Sequence, residues 1–429
     1  METDYRLIIA LVVFAFVYLS VVTDWVSRAK AALFGALVLL VTRVIDLHTA
    51  WIEYIDFETL GLLIGMMIIA GIIGRTGIFQ YVALKAVRWT KGRYGLLMIS
   101  LCVITAVFSA FLDNVTTILL LGPIAIIASD ALHRKPILLL VALTLSSNIG
   151  GMATLIGDPP HMMIGSAVGL SFNDFIVTLG PMSIVALALT LGYIYLANRR
   201  IIRAVGRPYK PTFDEAHYIK DRKQTAISLS VLGLVIVGFT FLPGLGVPVA
   251  VVALFGASLL MLLNPEKIKD LLSHVEWPLI FFFIGLFVIT GALQEIGVIA
   301  WIGERLARLT TNPFWFTMII LWGSTLGVAL FSAVPYVAVM IPIITHSVAL
   351  MGLTPEAAEP LWWALSVSAA IGGNGTIVGS AATMAAVSIS ERTSEPITFR
   401  NYLRYGLPTM LLVQLMTTLY LWLRFFAFA

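Results

Sequence analysis

Cysteine and charge are what this 429-residue chain has least of. Its single cysteine, Cys102, excludes an internal disulfide and a thiolate cage for a metal. Lys, Arg, Asp and Glu together make up 12% of the residues, against about 25% in a soluble domain. With 59% hydrophobic residues and a mean hydropathy of +0.98, that scarcity excludes a soluble domain and leaves a polytopic α-helical membrane protein. A P-loop is missing, so any ATPase would have to be a separate partner. There is no His-rich metal cluster, and the Gly157-Asp158 pair lacks the second Asp motif of a membrane protease. An enzyme is therefore not expected, and nothing implies a cofactor. The start, with Glu2 and Asp4 before the first apolar segment, has no small-residue cleavage site. The pI near 9.1 reflects basic loops, not a nucleic-acid surface.

What is present is a pattern that occurs twice. FSAFLDNVTTILLLGPI around Asp113 is answered by FSAVPYVAVMIPII around Ser332, and NIGGMATLIGDPPHMMIG from Asn148 by IGGNGTIVGSAATMAA from Ile371. Apolar segments lie near 6–22, 31–47, 58–75, 95–129, 136–169 and 175–197, then near 225–242, 247–263, 277–294, 314–350, 361–389 and 402–425. A charged stretch, 198–224, separates the two sets. The third segments match at a constant offset: Asp56 with Glu276, Gly65 with Gly285, Gly71 with Gly291 and Gly77 with Gly297. The expected units are residues 1–197, a linker 198–224 and residues 225–429.

If 95–129 and 314–350 are re-entrant hairpins, each half crosses five times and the second half is inverted. With the linker in the cytoplasm, all of the 27 Lys and Arg residues except Arg6, Arg43, Arg305, Arg308 and Arg424 fall inside, as the positive-inside rule demands. The expectation is ten transmembrane helices, two re-entrant hairpins, broken helices at the midplane and an external N-terminus in the cytoplasmic membrane.

Irregular backbone at membrane depth survives only when buried in protein or lining a watery cavity. Gly150, Gly151, Gly372, Gly373 and Gly375 mark such breaks. Asp158 before Pro159-Pro160 reads as a helix N-cap with proline at the first helical position, and Asp113 caps the second hairpin arm likewise. Hairpin tips and half-helix starts would bring positive dipole ends to one central place. There Ser109, Asn114, Thr116, Thr117, Asn148, Thr154, Ser332, Ala333, Asn374, Thr376, Ser380 and Thr383 would offer shape and neutral hydrogen-bonding groups to a small, oxygen-rich solute. Asp113 and Asp158 are the ionisable residues placed deepest, and such residues are functional candidates by default. Asp113 is ranked above Asp158 as proton carrier, because a cap before Pro-Pro already accounts for Asp158. His161 either titrates or packs. In the second half Ser332 and Ser380 stand where Asp113 and Asp158 stand in the first, so charge belongs to the first half.

SAFLDNVTT and NIGGMATLIGDPP resemble the ArsB/NhaD-type permeases of the ion transporter superfamily, over essentially the whole chain, and most of all the arsenite efflux permeases. The resemblance implies inverted repeats, a homodimer and an elevator-like motion. It implies proton-coupled efflux of arsenite or antimonite, a small metalloid oxyacid. The alternatives are sodium/proton antiport and service as the membrane subunit of an ATPase-driven pump. Three departures bear on substrate. Ser332-Ala333 replaces a second Asp-Asn, which weakens a sodium site. His161 and Thr383 stand where relatives often have Asn. The Ser-Asn-Thr hairpin signature of dicarboxylate symporters is missing.

Overall fold

The computed structural model describes residues 5–23, 25–203, 219, 221–393 and 395–427. Most of the linker, including Arg207, Lys210 and Lys220, lies outside the described residues, as do Glu2 and Asp4. The described chain is all-helical. The first half runs α1 (Tyr5–Thr23), α2 (Arg28–Val41), α3 (Phe57–Arg75), α4 (Ile78–Trp89), α5 (Tyr94–Ser109), α6 (Asn114–Ala131), α7 (Ile137–Gly151), α8 (Pro159–Val168) and α9 (Phe172–Ala197). The second runs α10 (Arg222–Phe241), α11 (Val249–Leu263), α12 (Trp277–Glu295), α13 (Val298–Ala307), α14 (Pro313–Phe331), α15 (Ala333–Met351), α16 (Pro355–Gly372), α17 (Ala381–Ser390) and α18 (Phe399–Phe425). Short helical turns at 47–54, 199–203, 243–245 and 268–272 lie between them; each of the nine helices of the first set has its counterpart nine places later.

Local chemistry sets the boundaries. Asp56 caps α3 by accepting from Thr59 N at 3.0 Å, and Ser171 caps α9 in a capping box with Asp174. Gly77 and Gly297, at φ 82° and 79°, turn the chain out of α3 and α12 into the short amphipathic helices α4 and α13. Pro123 and Pro342 sit inside α6 and α15. Among the described residues nine helices are long and apolar enough to cross a bilayer. Three of these (α6, α14 and α15) are hairpin arms, whereas the shorter α2 and α11 and the paired pieces α7/α8 and α16/α17 complete the crossings.

The turns agree on two sides. On the linker side Arg75 pairs with Glu266 at 2.8 Å and Lys135 with Glu395 at 2.5 Å. On the far side the Tyr54 hydroxyl donates to Glu295 at 2.8 Å. The repeat is visible in close contacts. A Cβ on Gly65 would meet the Ala253 backbone at 2.7 Å, and one on Gly285 the Ala32 backbone at 2.5 Å. A Cβ on Gly71 would lie 2.3 Å from His274, and one on Gly291 2.4 Å from Tyr54. These contacts exchange partners between halves, as inverted repeats do.

The halves interlock. Helix α3 packs along α11 and α12 along α2, giving a framework of α1–α3 and α10–α12. The hairpins, broken helices, α9 and α18 pack among themselves as a second body, joined by α5 on α7, α14 on α16, α6 on α17 and α9 on α18. The sequence halves are repeats, but the packed bodies cut across them.

Candidate functional site

The first hairpin turns between α5 and α6. Asp113, with extended backbone, caps α6 by accepting from Thr116 N at 2.8 Å. Behind the tip, Ser109 Oγ donates to Asn114 Oδ1 and lies 2.9 Å from Ser147 Oγ, which reaches Asn114 O at 3.3 Å. Tip groups at membrane depth are thus satisfied by protein rather than water.

The broken helix makes room for that tip. A Cβ on Gly150 would lie 2.1 Å from Ala106 O, one on Gly151 2.4 Å from Asn114 Oδ1, and one on Gly157 2.8 Å from Ser109 O. Thr154 Oγ1 donates to Ala110 O, tying the break to the hairpin. Asp158 then starts α8, but its side chain makes no capping hydrogen bond. The expected side-chain cap is not formed: Pro160 has no N–H to give, and the next donor, His161 N, bonds the Asp158 backbone carbonyl at 3.0 Å instead. The carboxyl instead lines the same cavity as Asp113 and Asn114.

The second half repeats this without carboxylates. Ser332 alone separates α14 from α15, at φ 70° and ψ 151°, a region that ordinarily only glycine occupies, costing about 1–3 kcal/mol. Ser332→Gly should therefore raise the melting temperature of the detergent-solubilised protein, where Ser332→Ala should not. An unchanged or lowered value for the glycine variant would show that the tip is not strained. Gly372 meets the Thr325 carbonyl (2.7 Å to a built Cβ) as Gly150 meets that of Ala106. Thr376 Oγ1 donates to Ala329 O at 2.5 Å, the counterpart of the Thr154 bond. Ser380 caps α17, accepting from Ala382 N at 3.2 Å, and donates to Asn148 Oδ1 at 3.0 Å. Asn148 Nδ2 donates to Asn374 Oδ1 at 2.8 Å, so Asn148 bridges the halves.

The four tips enclose a cavity of ≈ 60 Å³ lined by Asp113, Asn114, Asp158, Ser332, Ala333 and Ser380 of the expected set. The rest form the wall behind it. Ser109, Asn148, Thr154, Asn374 and Thr376 hold the tips together. Gly150, Gly151, Gly372, Gly373 and Gly375 are close-approach positions, Gly375 against Met410. Thr116 contributes its backbone N–H to the Asp113 cap, and Thr117 is buried with its hydroxyl unpaired. Thr383 lies 3.2 Å from the Tyr402 hydroxyl. His161 is fully buried, its Nε2 3.0 Å from Ser366 O and its ring 5.5 Å from that of Phe175, so it packs rather than lining the cavity.

Two charged residues in the lining were not anticipated. Arg28, from the start of α2, and Glu276, just before α12, stand at its linker-side rim with Met67 and Leu279. For Glu276 the match to Asp56 was a usable signal; for Arg28 there was none. The N-termini of α6, α8, α15 and α17 all reach the cavity. Asp113 and Asp158 sit at two of these positive ends, and the other two carry only serine. The arrangement presents hydrogen-bond acceptors on one side and donors on the other.

Comparison with known proteins fits this geometry. The sequence profile of the citrate transporter family matches residues 18–368. The uncharacterised transporter Rv2684 of Mycobacterium tuberculosis is 34% identical over 424 residues, covering 98% of this chain and 99% of its own. The human P protein is 32% identical over 496 residues, covering 95% of this chain but 59% of its own. Among solved structures, the YdaH transporter of Alcanivorax borkumensis superposes with a TM-score of 0.60 at 14% identity, covering 97% of this chain and 98% of its own. MtrF of Neisseria gonorrhoeae gives 0.56 at 14%, covering 91% and 85%. At that identity these two speak for the fold alone.

Proposed function

The chain belongs to the citrate transporter family, a family of membrane transporters, and we propose that this member exports arsenite or antimonite in exchange for protons. The observation that carries the reading is the division of the cavity. Two helix starts bear the carboxyl groups of Asp113 and Asp158, and two bear only Ser332 and Ser380. Trivalent arsenic and antimony acids are small and uncharged at neutral pH. Their O–H groups can donate to the carboxylates while their oxygens accept from the N–H groups that open α15 and α17. A citrate anion would instead meet Asp113, Asp158 and Glu276, with Arg28 the one cation among the described lining residues. A proton carried on these carboxyl groups would be exchanged for solute.

We place the protein in the cytoplasmic membrane, with the linker in the cytoplasm, the N-terminus outside, residues 1–197 and 225–429 as its repeats, and a homodimer as its working form. The carboxyl groups of Asp113 and Asp158 in one lining, with the Asn114 side chain, also make sodium/proton antiport the second reading. The positive ends of α15 and α17 oppose a cation there. The membrane subunit of an ATPase-driven pump is the remaining arrangement. Purified protein in liposomes decides: with a pH gradient and no ATPase, arsenite should move and sodium should not. Sodium movement without arsenite establishes the antiporter, and arsenite movement only after an ATPase is added establishes the pump subunit.

A further inference from the structure

Two framework carboxylates occupy matching places, Asp56 before α3 and Glu276 before α12, at an offset of 220 (276 less 56). Two serines occupy matching places on the second pieces of the broken helices, Ser166 on α8 and Ser388 on α17. Their offset is 222 (388 less 166), the one that relates Gly157 to Gly379. On the far side the pair is joined: Ser166 Oγ donates to Asp56 Oδ1 at 3.0 Å, and α3 packs along α8. On the linker side the counterpart is open. Glu276 and Ser388 are both exposed and share no hydrogen bond, and α12 has no comparable packing against α17. The same asymmetry appears at the hairpins, where α12 packs on α15 but α3 does not pack comparably on α6.

The framework offers equivalent surfaces on both sides. Met67 and Glu276 line the central cavity. Their counterparts Phe287 and Asp56 line a separate far-side cavity of ≈ 240 Å³, closed over by Ser166 and Ala338 of the other body. Two inverted repeats that exchange conformations turn each contact of one half into the matching contact of the other.

We propose that Asp56 and Glu276 are alternating docking points for the moving body. The Asp56–Ser166 bond holds the state seen here, and a Glu276–Ser388 bond replaces it in the exchanged state. The inference rests on the transporter reading but on no particular solute. Its test is thiol cross-linking in native membranes with a short bifunctional reagent, in a Cys102→Ala background. Asp56→Cys with Ser166→Cys should cross-link, and so should Glu276→Cys with Ser388→Cys. Adding Ser166→Ala to the second pair should raise its yield about fivefold, the population shift expected from losing one hydrogen bond. Cross-linking of the first pair alone overturns the proposal, as does a second-pair yield that Ser166→Ala leaves unchanged, or no cross-linking of either pair. Absent arsenite flux with the expected cross-links removes the substrate reading and leaves the alternation standing.

Discussion

Asp158→Asn should reduce proton-driven solute movement in liposomes to the protein-free background, while Asp113→Asn retains at least half of it. The two residues look alike in sequence, but their side chains are differently engaged. Asp113 Oδ1 accepts from Thr116 N at 2.8 Å and opens α6. Asparagine caps a helix about as well as aspartate, so Asp113→Asn keeps the hairpin tip, and Asp113→Ala should cost about 1 kcal/mol of stability. Asp158 makes no such bond, so in the proposed exchange it is the carboxyl that would carry the proton. Both asparagine variants should melt within a degree or two of the parent in detergent, which separates loss of coupling from loss of fold. Coupled flux that survives Asp158→Asn and disappears in Asp113→Asn would move the proton to the hairpin and return Asp158 to a structural part.

That predicted order is the opposite of the one the sequence alone suggests, and the difference rests on how the two side chains are engaged. Asp before Pro-Pro has the form of a cap, but Pro160 has no N–H and His161 N donates to the Asp158 backbone carbonyl instead of its side chain. Spacing identified where the chain breaks: Gly150-Gly151, Gly372-Gly373, the Asp113 tip and the Ser332 tip all fall where expected. It also identified the inverted repeat, because Gly65, Gly71, Gly285 and Gly291 are needed for close backbone contacts that recur in both halves. It did not separate lining from wall. Whether Asn148 faces the solute or Asn374 depends on how a hairpin crosses a broken helix, and no local pattern encodes that crossing. Arg28 reads as an ordinary positive-inside charge beyond the end of a segment. Only the packing of α2 on α12 brings it to the rim beside Glu276. The helical periodicity that buries His161 is likewise blurred in a chain whose segments are apolar all round.

The largest expected effect on folding comes from a methyl group. Gly150→Ala would place Cβ 2.1 Å from Ala106 O and 2.4 Å from Ala106 Cα. Both are backbone atoms of α5, so no side chain can rotate away. Overpacking costs about 1–3 kcal/mol where neighbours can yield; here α5 and α7 must separate, and the cost should reach the top of that range or exceed it. Total stabilities are only about 5–15 kcal/mol, so the variant should accumulate poorly or melt well below the parent. Gly192→Ala on α9 has nothing within 4 Å of the new Cβ and should be neutral or slightly stabilising, since alanine is the better helix former by about 1 kcal/mol. Gly372→Ala, 2.7 Å from Thr325 O and 2.8 Å from Val328 Cβ, should fall between the two because its closest contact needs a smaller displacement than the 2.1 Å approach at Gly150. Equal melting of Gly150→Ala and Gly192→Ala would mean that α5 and α7 are not in backbone contact. That contact holds the first hairpin against the break, with Asn114 and Asp158 in one cavity lining. Without it the cavity would lose the wall that carries both of its central carboxyl groups.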